Sequence, residues 1–170
     1  MKLNNKGLTL VEVLVVLAIL GILGGLATMG ISAAVSKPAD ECAEKMAASL
    51  KNGRLSTMGK HEIELRYYQT ADGAIYLEES ITRIKTDGET STTMDVTKIG
   101  EKGVQVEYTL TDGTTKQLSE EDLVLSFKRS SGGFNTCNGT SAYCKEIKVS
   151  KGSRLLTLEL QYLTGKVTVK

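Results

Sequence analysis

Tryptophan is absent from the 170 residues, and the chain has one His, one Pro and two Phe. With His61 as the single imidazole there is no second one for a zinc site or a histidine relay, and no phosphate-binding loop or metal-ligand spacing is seen. His61 has no nucleophile or paired carboxylate set around it, so it reads as a structural or surface residue. The acidic residues are scattered over turns and alternating positions, and Glu120-Glu121-Asp122 reads as a turn cap or a solvated patch. We therefore expect no catalysis, no metal and no cofactor. Internal repeats and low-complexity tracts are also lacking, which argues against solenoids and linkers. An excess of one charge is missing too: the net charge is +1, too small to select a partner by a global field.

One region has the opposite character. Between Leu8 and Val35 the only charged residue is Glu12, and residues 13–31 are nearly all apolar. At about 1.5 Å rise per residue, that stretch covers most of a hydrocarbon core roughly 30 Å thick. Ahead of it stands Met1-Lys2-Leu3-Asn4-Asn5-Lys6-Gly7, which is short, polar and basic. Basic flanks stay in the cytoplasm, so the rest of the chain is expected to face outward. A secretory signal would have a shorter apolar segment without an acid in its leading edge. A plain membrane anchor accepts the length but leaves Glu12 without a purpose. An intramembrane carboxyl calls for a partner, and no Lys or Arg follows within two helical turns.

Lys6-Gly7-Leu8-Thr9-Leu10-Val11-Glu12, followed by the apolar run, resembles the prepilin processing site of type IV pilins and of the pseudopilins of type II secretion and competence systems. Leu8 stands where that family usually has Phe. The resemblance implies that residues 1–7 are a leader cut behind Gly7 by prepilin peptidase and that Leu8 is the N-methylated new terminus. It implies that Glu12 pairs with the Leu8 amine of a neighbouring subunit on an inner-membrane assembly platform. Physically, a carboxylate and an ammonium buried together relieve each other's desolvation, whereas either alone is costly. Residues 8–36 are then a helix shared between membrane lipid and other pilin subunits, and the chain is a single-pass membrane protein before it joins a cell-surface filament. Gly21 matches a common family glycine. Gly24, Gly25 and Gly30 are read either as local softening of the helix or as small-residue packing.

Pro38 falls where the apolar run ends and is expected to kink or restart the helix, with Asp40 and Glu41 in the new first turn. Beyond it, Ala43, Met46, Ala47, Leu50, Gly53 and Thr57 form a helical stripe opposite Glu44, Lys45, Lys51, Asn52 and Lys60. After about residue 62 the pattern alternates. Strands are expected over residues 62–68, 74–77, 81–84, 104–110, 123–127, 146–149, 155–162 and 166–169, with turns at Asp72-Gly73, Asp112-Gly113, Lys151-Gly152 and Thr164-Gly165. The expected fold class is α+β: a long N-terminal helix, membrane-spanning in its first half and amphipathic in its second, packed on an antiparallel sheet in an extracytoplasmic domain of residues 37–170.

Two features bear on that domain. Cys137 and Cys144 enclose a polar loop and are expected to close a disulfide outside the membrane; Cys42 is the odd cysteine, and pairing with either of the others stays open. Residues 128–170 hold eight Lys/Arg against two Asp/Glu. This basic segment, with Phe134, Tyr143 and Tyr162 nearby, motivates DNA as an alternative partner. The plainer reading is contact with the acidic face of the next subunit. A third alternative is a membrane-anchored surface protein that does not polymerise.

Overall fold

The computed structural model of the protein describes residues 10–58, 61–84, 89–140 and 142–170, with the backbone alone at residues 24–35 and 84. The chain divides into two units, Met1–Val35 and Ser36–Lys170. Helix α1, Leu10–Met58, supplies the described part of the first unit and the helical element of the second.

Pro38 lies inside α1, which corrects the expectation of a restart there. A proline removes one intrahelical donor, and the helix is kept where flanking residues are fixed by packing. Here Ala39, Cys42 and Ala43 are buried directly after it. Asp40 and Glu41 are accordingly not capping residues: the Asp40 carboxylate accepts from Arg154 Nε at 2.8 Å, and Glu41 lies 3.8 Å from Lys37.

The second unit has ten strands in two five-stranded antiparallel sheets, not the single sheet expected, and its fold class is α+β. Strands β1 (His61–Gln69), β2 (Ile75–Ile84) and β3 (Thr90–Gly100) form a meander. The chain then crosses to the second sheet for β4 (Gln105–Leu110) and β5 (Thr115–Gln117), and returns for β6 (Leu123–Phe127) and β7 (Phe134–Cys137). It ends in the second sheet with β8 (Cys144–Lys151), β9 (Arg154–Gln161) and β10 (Lys166–Val169). The strand orders are β3-β2-β1-β6-β7 and β10-β9-β8-β4-β5.

Alternation decides which face each strand buries. Ile63, Leu65 and Tyr67 of β1 point inward while Glu62, Glu64 and Arg66 point out, as a period of two requires. The inward residues of both sheets join Ala39, Cys42, Ala43, Met46 and Leu50 of the helix in one apolar cluster. Two buried hydroxyls are matched: Tyr67 shares a 2.7 Å hydrogen bond with Ser49, and Thr57 donates to the Gly53 carbonyl at 2.9 Å. Asn138, in the left-handed region at φ 49°, accepts from the Val124 amide through Oδ1 at 2.7 Å and donates through Nδ2 to the Asp122 carbonyl at 2.8 Å and the Tyr108 hydroxyl at 3.1 Å. That amide fastens the two sheets together.

A second junction needs glycine. At Gly165, φ is 65° and a Cβ would stand 1.9 Å from the Gly132 carbonyl oxygen. Gly113 has a similar φ of 89° with nothing within 4 Å. Comparing the two separates backbone strain from collision. Gly113→Ala should cost about 1–2 kcal/mol, the left-handed penalty alone. Gly165→Ala should cost more by at least about 1 kcal/mol, because backbone must move. Denaturant melts of the two variants beside the parent protein check the difference.

Candidate assembly surfaces

In the first unit every large apolar side chain from Leu10 to Leu23 is exposed, from Val13 at 45% to Leu10 at 78%. Glu12 is exposed beside them, and a Cβ at Gly21 would meet nothing within 4 Å. A helix apolar on all sides requires cover from lipid or other protein. Among the described residues no helix is long and apolar enough to cross a membrane. The apolar run continues through residues 24–35, where only the backbone is described. Gly7 and Leu8, the expected cleavage and methylation positions, lie outside the described residues.

In the second unit Cys42, Cys137 and Cys144 are buried free thiols, so the expected Cys137–Cys144 bridge is not formed in the structure. Burial raises all three: Cys42 to about 12, Cys137 to about 11, and Cys144 well above its ordinary value. Such thiols are poor nucleophiles at neutral pH. Cys137 and Cys144 are nevertheless neighbours, each acting on the other's thiol.

Charge is arranged around the same unit. Arg66 Nη2 donates to Asp122 at 2.7 Å, and Arg129 Nη2 to Glu62 at 2.6 Å. Lys148 stands 3.1 Å from Glu146 and Lys170 2.7 Å from Glu159. Two further groupings of charge lie in this unit. Lys51, Arg54 and Lys166 line a recess of about 370 Å³ with Ala47, Ala48, Gly165 and Val167. At the far strand β3, Asp95 lies directly opposite Glu79 of β2. The Glu79 carboxyl is raised by burial and by Asp95.

Residues 2–28 match the family model described as the prokaryotic N-terminal methylation motif. The chain carries the type IV prepilin signal. No curated protein and no solved structure matches it. Proteins with the prepilin signal are structural rather than enzymatic, and the signal implies processing by prepilin peptidase, assembly with other pilin subunits, and a membrane-anchored or pilus location.

The aromatic and basic residues of the segment at 128–170 differ in their surroundings. Phe134 is buried against Phe127, ring centroids 5.1 Å apart, so it cannot stack on a base. Tyr143 and Tyr162 stack on each other at 4.8 Å, with Lys128 Nζ 5.9 Å from the Tyr143 ring. Arg129, Lys148, Arg154 and Lys170 are ion-paired within the domain. Sequence reading found none of Arg54, Lys166, Glu79 and Asp95 as a set, since strand register and turn contact bring them together.

The Glu79–Asp95 pair opposes the fold. Like charges directly across an antiparallel pair destabilise by about 0.2–1 kcal/mol. Asp95→Asn should therefore stabilise the domain by that amount at pH 7. Because the Glu79 carboxyl is raised in the folded state, the penalty exists where the pH is above that raised value and fades as the pH falls through it. Denaturant melts of parent and variant should accordingly converge in acid.

Proposed function

We propose that the chain is a subunit of a type IV pilus or a pseudopilus, cut behind Gly7, N-methylated at Leu8, held in the membrane by the apolar helix and polymerised through it. The single observation that carries this reading is the continuity of the methylation motif at residues 2–28 with a helix whose large apolar side chains, Leu10 to Leu23, all lack intramolecular cover. Lipid supplies that cover before assembly and neighbouring helices supply it afterwards. Glu12 then has a role: it meets the Leu8 amine of an adjacent subunit, so that a subunit out of register leaves two buried charges unmatched. The domain of residues 37–170 faces outward and forms the filament surface.

The intact mass of the protein from native membranes tests the first step. Loss of residues 1–7 together with one added methyl group is the expected result, whereas a full-length mass or a cut near Ala34 removes the reading. Glu12→Ala should leave processing intact and abolish filaments, scored by shearing them from cells.

The Cys137–Cys144 bond belongs to the same reading. Outside the cytoplasm a disulfide-donating oxidant takes two electrons and two protons from the neighbouring thiols, and the bond staples β7 of one sheet to β8 of the other. By the chain-entropy model a short closed loop contributes roughly 2–3 kcal/mol. The surface-exported protein should weigh two hydrogens less than its reduced form and lose about that stability on reduction. Alkylation of all three cysteines without a reductant overturns the bond.

A further inference from the structure

We infer that the recess lined by Lys51, Arg54 and Lys166 receives the Glu79–Asp95 carboxylate pair of a second copy of this chain. The inference rests on the filament reading and names the contact between outward domains that such a filament uses.

The recess is a built feature. Gly132 and Gly165 press their backbones together over the Arg54 stem: a Cβ at Gly132 would meet Arg54 Cγ at 2.9 Å, and one at Gly165 would meet Arg54 Cδ at 3.1 Å. Arg54 Nε is buried with no hydrogen-bond partner, which is costly for a guanidinium nitrogen. Among the described residues no carboxylate pairs with Lys51, Arg54 or Lys166. Three cations thus surround a cavity whose remaining walls are small or apolar.

The acidic pair is its counterpart. The row Leu65, Glu79, Asp95 runs across β1, β2 and β3 from a fully buried leucine to an exposed aspartate at a free sheet edge. On that face of the hairpin the one cation among the described residues is Arg83, four residues along β2, or roughly 13 Å away at strand rise. Two carboxylates held side by side without a cation suit a partner that brings several.

Strand order places the two features apart. β3 ends the first sheet on one side and β7 ends it on the other. A Cβ at Gly133, next to β7, would lie 2.4 Å from the Leu163 carbonyl oxygen, so the turn that carries Gly165 and Lys166 sits at the β7 side. Donor and acceptor on opposite sides of one domain make a heterologous contact. Such a contact propagates from copy to copy instead of closing a dimer.

The test is zero-length carbodiimide cross-linking of the full-length chain in intact cells and sheared filaments, read by peptide mass spectrometry. The reagent joins a lysine amine to a carboxylate in van der Waals contact with loss of water, and the carbodiimide leaves as a urea. Intersubunit links from Lys51 or Lys166 to Asp95 or Glu79 are expected. Lys166→Glu and Asp95→Lys should each lose the links to the changed residue and reduce filament yield. The Lys166→Glu/Asp95→Lys double variant should regain filaments and give a link between the two exchanged side chains, at positions 166 and 95, which also shows that the variants fold. Filaments linked only through other residue pairs, with both single variants assembling normally, overturn this contact and leave the filament reading standing. A chain that gives no intersubunit link of any kind overturns both. If the single variants keep their filaments but lose retention of DNA by the sheared material, the recess is a nucleic-acid site and the inference falls.

Discussion

A helix that is apolar on every side over one stretch and on a single stripe over another needs two different kinds of cover, and the rest of the molecule follows from that need. Over residues 36–58 the stripe Ala39, Cys42, Ala43, Met46, Leu50 and Gly53 is covered by the chain's own sheets. Over Leu10 to Leu23 the large side chains remain exposed on all sides. At about 25 cal/mol per Å² of apolar surface, leaving such a stretch in water is untenable. The domain of residues 36–170 satisfies its own half of the requirement through two sheets.

Two sheets are needed because one would leave its second row of apolar residues bare. Tyr108, Ile147, Val149 and Leu158 of the second sheet are fully buried in the same cluster as Leu65, Tyr67 and Leu125 of the first. Polar groups at the junctions are matched by geometry that leaves little freedom: Asn138, in the left-handed region, between the two sheets, and Tyr67 of β1 bonded to Ser49 of the helix. Tyr67 is wholly buried and its phenol is pushed up by desolvation, so it remains a neutral donor or acceptor at any physiological pH. Partly matched networks of this kind would be worse than apolar packing, while complete ones fix a single arrangement.

Much of this was legible in the sequence because local periodicity carried it. The stripe through Met46 and Leu50 is the buried one, and the turns at Gly73, Gly113, Gly152 and Gly165 are all present with φ positive. What local pattern could not carry was missed. Glu78-Glu79-Ser80 reads as a break between strands, yet β2 runs through it, because pairing with both β1 and β3 supplies the ladder that side chains do not. β3 itself, rich in Thr and Ser and exposed from Thr90 to Lys98, has no buried alternation to announce it. The three-residue β5 and four-residue β7 are too short to show a period. Pro38 is the reverse case: a strong local breaker overruled by burial on its C-terminal side. In the motif, by contrast, the leader, Gly7, Thr9, Glu12 and the apolar run are contiguous, so the residues with the clearest chemistry needed no fold to be recognised.

The charge pattern was the least legible part, and it carries the most information about what surrounds the domain. A count over residues 128–170 gives a strongly basic segment, but half of its eight cations are matched inside the domain, by Glu62, Glu146, Glu159 and, through Arg154, by Asp40 of the helix. Among the charge that remains are cations gathered at a glycine-lined turn and two acids set face to face on a free edge. Exposed ion pairs contribute about 0–1 kcal/mol each, so stability alone gives little reason for either cluster. The acid pair opposes folding, and the buried Arg54 nitrogen forgoes a hydrogen bond. In the contact proposed above, the cations of the recess and the acids of the free edge would each find a countercharge that the isolated domain does not give them.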